Sequence, residues 1–229
     1  NEYRIIDRLS KANGAELFGF GQRAMQESAY GVSAKAFREV IEQHPAQAIM
    51  PHARLGFARA IEELSVNLDT TSLSVKVGET PVLRSPRFGP VSETRPTFQG
   101  ALGLFETLTE EYPRTEVGMQ AWFRIGVIQF ERFFDLDAAV TAFEKVRVMP
   151  YNANLVFEAG TKLAEVYTAR NNIVRARVEY RSLLETAEAQ KREQALFRLA
   201  ELDYFESNID SALARLGLIT TNVTTDLAN

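Results

Sequence analysis

The chain has 229 residues, 45% hydrophobic and 24% charged, which is the composition of an ordinary globular protein of one or two domains. Its net charge of −4 gives no reason to expect nucleic acid as a partner, because phosphate binding needs a basic surface to displace counterions, though it leaves room for a locally basic groove. With no cysteine there is neither disulfide nor thiolate chemistry, and no apolar run reaches the roughly 18 residues that a membrane-spanning helix needs.

Residues 3–11, Tyr-Arg-Ile-Ile-Asp-Arg-Leu-Ser-Lys, predict an amphipathic helix, either a cap or the second helix of a preceding hairpin. Within 14–46 an apolar-small pair, Phe20-Gly21, is followed by Ser33, Phe37 and Pro45. The pair returns as Leu55-Gly56 in 47–64, and its continuation, Ala101, Phe105 and Pro113, falls in 97–113. Ile125-Gly126 with Ala139, Phe143 and Pro150 occupies 114–150. Leu163-Ala164 with Ala176 and Tyr180 occupies 151–188, and Leu199-Ala200 with Ala212 and Leu216 occupies 189–219. Residues 220–229 read as a tail or the start of a further helix.

The spacing identifies a repeat. Phe105, Phe143, Tyr180 and Leu216 follow one another at 38, 37 and 36 residues. The small residue precedes its anchor by 16 residues in the first, fourth and fifth units and by 17 in the third. Residues four apart share a helical face, so Ala139 and Phe143 make a notch and a knob on one stripe. Two helices approach closely where a small residue on one faces a large ring on the other. Proline then ends the second helix, so Gln43-His44-Pro45 and Glu111-Tyr112-Pro113 read as terminators. The expected fold is all-α: a single solenoid domain of about five helical hairpins with one long proline-rich insertion.

Trp122-x-x-Ile125-Gly126, then Ala139-x-x-x-Phe143 and Pro150, resembles the tetratricopeptide pattern, whose period is about 34 residues. The longer repeats and the proline endings resemble the bacterial envelope branch of that superfamily, which includes outer-membrane assembly lipoproteins and Tol-Pal coordinator proteins. The fourth and fifth units depart from it, with Glu188 and Thr224 near the proline position, and the first-helix tyrosine is kept only as Tyr167.

The second unit is split. Gly56 and Phe105 lie 49 residues apart, and from Ser65 to Pro96 the helical periodicity stops while four prolines (Pro81, Pro86, Pro90, Pro96) accumulate. The segment 65–96 is either a tolerated surface insertion at a hairpin tip or an arm that touches a partner.

Catalytic motifs are lacking. No phosphate-cradling glycine loop or Gly-x-Ser-x-Gly elbow occurs, and His44 and His52, the only histidines, make a poor zinc set without cysteine. Glu27-Ser28 with Tyr30-Gly31 resembles the catalytic glutamate segment of lytic transglycosylases, but the Gly-Leu-Met-Gln-type element that follows there is missing. The repeat phase reads this stretch as the end of a first helix. No metal, cofactor or catalytic residue is expected.

In tetratricopeptide arrays the first helices line a concave groove. The positions three before the small site are Phe18, Ala53, Phe123, Thr161 and Phe197, and those one after it include Phe57 and Val127. Two before it stand Arg54, Arg124, Lys162 and Arg198. One reading is an aromatic groove with a basic edge, suited to a segment with apolar anchors and some negative charge. The plainer reading turns the rings inward and leaves the cations as a solvated face.

The resemblance thus implies a module that holds a protein or peptide, in the bacterial periplasm or envelope. The alternative is a non-catalytic helical scaffold within a larger enzyme or regulator. Leu213, Leu216, Leu218 and Ile219 give the far end no polar cap, which implies a further stretch of chain, a second copy or a partner covering it.

Overall fold

The structure is a computed structural model, and it describes residue 6 and residues 14–44, 48–71, 96–186 and 188–220. Among the described residues ten α-helices follow one another without a strand. They are α1 (Gly14–Gln26), α2 (Tyr30–Gln43), α3 (Met50–Thr71), α4 (Phe98–Glu111), α5 (Glu116–Ile128), α6 (Leu136–Arg147), α7 (Ala153–Ala169), α8 (Ile173–Thr186), α9 (Ala189–Phe205) and α10 (Ile209–Thr220). A π-helical turn, Gln129–Phe133, continues α5. The chain forms two compact units, Asn1–Ala121 and Trp122–Asn229, with the boundary inside α5.

In the first unit α1 packs on α2, α2 on α3 and α3 on α4. Phe37, from α2, is the pivot. A Cβ on Gly21 of α1 would come within 3.0 Å of its ring, and one on Gly56 of α3 within 2.6 Å, so one buried aromatic lies against two glycine notches. Phe105 on α4 is fully buried as well. Ser33, at the notch position of α2, donates its hydroxyl to the Gly21 carbonyl at 2.9 Å, tying the two helices together at the same level.

The second unit repeats the device. A Cβ on Gly126 would stand 2.6 Å from the Phe143 ring, and Phe143 is completely buried. Tyr180 is the buried anchor of α8, whereas the aliphatic Leu216 on α10 is only half-buried. The helices α6 to α10 pack successively, each on the next.

The turns inside the hairpins share one geometry. Ser28, Phe134, Asn171 and Ser207 have φ between 55° and 62°, and each stands nine residues before its anchor. After Ser28, Asn171 and Ser207 the next amide donates to the carbonyl five residues back, at 2.8 Å in all three, as a left-handed helix cap requires. After Phe134 the Asp135 amide reaches six back, to Gln129 at 2.9 Å. The extra residue of the third unit, visible as a spacing of 17 in place of 16, is taken up by this π turn.

Side-chain caps start several helices: Thr97 accepts from the Gly100 amide at 3.1 Å, Asp135 from Ala138 at 3.0 Å and Asn152 from Leu155 at 3.1 Å. The second helices α2 and α4 stop one residue short of His44 and Tyr112, both caps at φ near −129° just before proline. One boundary differs from the sequence expectation. The α3 helix runs on through Thr71, past Ser65, whose buried hydroxyl returns to the Ile61 carbonyl at 2.7 Å. The hydroxyl is satisfied within its own helix, so burying it leaves no unmet donor. The proline-rich residues 72–95, the amphipathic stretch around Ile6 and the tail 221–229 lie outside the described residues.

Candidate functional site

With the hairpin phase fixed by the glycine notches, the first helices α1, α3, α5, α7 and α9 carry the predicted groove positions. In the first unit Phe18 is half-buried and leans on Phe37, ring centroids 5.5 Å apart and planes at 56°. The two rings, with Gln22, Leu55, Gly56 and His52, line a cleft of about 530 Å³. Arg54 is half-buried and pairs with Glu111 at the end of α4.

In the second unit Phe123 meets Phe143 edge-on at 5.8 Å. It opens onto a cleft of about 340 Å³ with Phe157, Lys162, Lys191 and Gln194. An adjoining cleft of about 390 Å³, sharing Thr161 and Gln194, is lined by Tyr180, Phe197 and Arg198. Phe197 is the most open of the predicted aromatics, at 40% exposed. Phe157 and Gln194 are new to the site. Phe157 stands one turn before Thr161 on the same face of α7, and Gln194 one turn before Phe197 on α9, so extending each groove position back by one turn would have found both.

Two predicted groove residues turn out differently. Phe57 and Val127 are buried, at 8% and 9% exposed, and contribute packing to the helix interface. Each directly follows a glycine against which a second-helix ring packs. Of the four predicted cations, Arg124 is half-buried.

The basic edge is a charge-balanced ladder. Lys162 sits between Glu131 and Glu165, 3.0 Å from each, and Arg198 between Glu201 at 2.9 Å and Glu165 at 3.7 Å. Carboxylate and cation alternate from the π turn through α7 to α9. Burial pulls the Lys162 ammonium down, but its hydrogen bonds to Glu131 and Glu165 outweigh that and hold its pKa above the ordinary value. Arg198 is held up chiefly by its bond to Glu201. The Tyr180 phenol beside them is pushed up by burial and by the Glu165 charge, so it stays protonated. This face therefore carries both signs of charge and is not a basic edge.

A second ionic cluster serves packing. Asp203 on α9 is buried and bonded by Arg177 of α8 and, at 2.6 Å, by Arg215 of α10, while Arg177 also reaches Glu206. It joins three successive helices.

No family model and no curated protein sequence matches this chain. Solved structures do. A tetratricopeptide repeat protein from Parabacteroides merdae aligns over 93% of this chain and 68% of its own, with a TM-score of 0.61 at 10% identity. MamA from Desulfovibrio magneticus aligns over 92% and 95%, at 0.60 and 12% identity. YrrB, described as a TPR protein with an unusual peptide-binding site, aligns over 99% and 95%, at 0.55 and 10% identity. The fold is the tetratricopeptide-type α-α solenoid. At these identities the likeness establishes the fold alone.

Among the described residues no group of three or more His, Asp or Glu is placed to hold a metal, and no helix is long and apolar enough to cross a membrane. Ser28, in the segment that resembles a transglycosylase glutamate motif, is the left-handed turn residue between α1 and α2. His44 is the C-cap of α2, its amide donating to the Val40 carbonyl. His52 lies at the cleft beside Phe18.

Proposed function

We propose that this chain is a protein-binding scaffold that holds a peptide or protein segment against its first-helix face, in assembly at the bacterial cell envelope. The observation that carries the reading is the pair of adjoining clefts in the second unit. Three aromatic rings from three successive first helices, Phe123, Phe157 and Phe197, open there beside amide and hydroxyl groups of Gln194 and Thr161. Rings supply apolar anchoring area, and the amide and hydroxyl can hydrogen-bond a backbone whose side chains vary. The peptide-binding site in the description of YrrB supports this use of the fold. The envelope assignment is supported by the proline-terminated repeats that resemble the envelope branch.

The ligand this face fits is a segment with apolar or aromatic residues spaced to meet successive first helices, carrying charges of both signs. The test is affinity capture from extracts of the source organism. The double variant Phe123→Ala/Phe197→Ala is compared with wild type and with Arg181→Ala on α8, all three checked for helicity. A partner retained by wild type and R181A and lost with the double variant is expected. Equal retention by all three, or no specific capture by wild type, would overturn the reading.

A further inference from the structure

The anchor of the fourth hairpin carries a group that its packing does not use. Phe37, Phe105 and Phe143 fill the buried anchor position with bare rings, whereas Tyr180 ends in a hydroxyl. Tyr180 is 3% exposed, yet among the described residues its phenol makes no hydrogen bond. Nor is the oxygen sealed off from solvent. A hydroxyl in this state has lost most of its water and gained no bond, which costs stability. Its remaining opening is the cleft of about 390 Å³ that Tyr180 lines together with residues of α7 and α9. Tyr180 and Ala195 form the buried floor, Thr161 is half-buried, and Gln194, Phe197 and Arg198 stand exposed at the rim. A ligand backbone lying across that rim stops short of the floor, so what meets the phenol is a side chain.

The surroundings define the chemistry of that side chain. A charged group entering the cleft must leave water, and that is costly unless an opposite charge receives it. Here Glu165 and Glu201 already hold Arg198, so the ladder offers an ion of either sign little return. The group that fits is neutral. The phenol, kept protonated by burial and by the Glu165 charge, has a proton to donate. Two acceptors share the cleft with it. Thr161 gives its own proton to the Phe157 carbonyl at 3.1 Å and keeps its oxygen to accept, and the Gln194 carbonyl makes no hydrogen bond among the described residues. One donor and two acceptors are the complement of a primary amide, which has one carbonyl and two N–H groups, whereas a hydroxyl has a single proton.

We infer that Tyr180 is a specificity-determining residue of the groove and selects an Asn or Gln side chain in the bound segment. This rests on the reading of the first-helix face as a peptide-binding surface. An apolar residue in place of the amide leaves the phenol dry and unbonded, which weakens binding about tenfold.

The experiment selects peptides from a random phage-displayed library on the whole chain, separately for wild type and Tyr180→Phe. The substitution restores the bare ring of the other anchors, so its thermal melt is expected at or above that of wild type. Wild type is expected to enrich Asn or Gln beside an apolar anchor, and Tyr180→Phe to keep the anchor and lose the amide. The best wild-type peptide, with its amide residue intact or replaced by Leu, is then titrated by fluorescence anisotropy. Wild type, Tyr180→Phe and Phe123→Ala/Phe197→Ala are compared. The Leu replacement is expected to weaken binding about tenfold with wild type and hardly at all with Tyr180→Phe. A melt that falls well below wild type, selected peptides without an amide, or a replacement equally costly in both proteins would overturn this inference and leave the groove reading standing. Failure to select any peptide, or equal binding to the double phenylalanine variant, would overturn the groove reading and this inference with it.

Discussion

Gly126 and Gly103 both lie within helices, and only one has room for a side chain. A methyl on Gly126 would meet the Phe143 ring at 2.6 Å, whereas nothing lies within 4 Å of one on Gly103. Gly126→Ala is expected to destabilise by about 1–3 kcal/mol through overpacking. Gly103→Ala is expected to stabilise by about 0.5–1 kcal/mol, because the helix loses a flexible residue. Urea titrations of both variants check the pair, and a loss at Gly103 equal to that at Gly126 would contradict the notch assignment. Phe143→Ala removes the other half of the contact and should cost about 3–5 kcal/mol in the same titration.

Asp203 gives a pH dependence at the same scale. Burial pushes its carboxyl up, but hydrogen bonds from Arg215 and Arg177 outweigh that and hold its pKa below the ordinary aspartate value. A depressed pKa contributes stability that is fully present above the unfolded-state value, about 3.9, and is lost as pH falls through the folded value. Wild type should therefore be more stable than Asp203→Asn at neutral pH, and the gap should close as the pH drops below about 4. A gap that persists unchanged into acid would mean that the charge of Asp203 contributes nothing.

At the scale of the element, the hairpins were legible in the sequence because a close approach of two helices demands a small residue opposite a large one. Gly21 and Gly56 against Phe37, and Gly126 against Phe143, obey that rule. The third unit's additional residue was legible as a number, but only the backbone shows it as a π turn ending in a left-handed Phe134. Relief of that strain in Phe134→Asn is expected to raise stability by about 1 kcal/mol, read from a thermal melt. The groove was half legible. Phe18, Phe123 and Phe197 line clefts, and Phe18 and Phe123 do so while touching the anchor ring of the partner helix. Phe57 and Val127 are buried, which their spacing from the glycine does not encode. In the predicted basic edge, Glu165 and Glu201 follow Lys162 and Arg198 by one turn on the same helices, while the Glu131–Lys162 and Glu165–Arg198 contacts join neighbouring repeats, so the continuous ladder appears only once the repeats are stacked. Its half-exposed pairs contribute little to stability: Lys162→Ala is expected to change it by less than about 1 kcal/mol.

For the molecule as a whole, each unit has its own core, built by the same ring-and-notch device, and presents clefts on first helices. In such arrays stability comes from nearest-neighbour interfaces, which leaves one face of each first helix available for a ligand. Leu213 and Leu218 of α10 are exposed, while Ile219 is buried, so the last described hairpin still shows apolar surface. That a partner segment lies on the first-helix face is tested most directly by photo-crosslinking in cells of the source organism. A photoreactive phenylalanine analogue is placed singly at Phe18, Phe123 and Phe197, and at Glu144, Lys145 and Arg181 on the second helices α6 and α8. Crosslinks to one common partner from the first-helix positions, with none from the second-helix positions, are expected. Crosslinks confined to the second helices, or absent at all three first-helix positions, would contradict binding on that face.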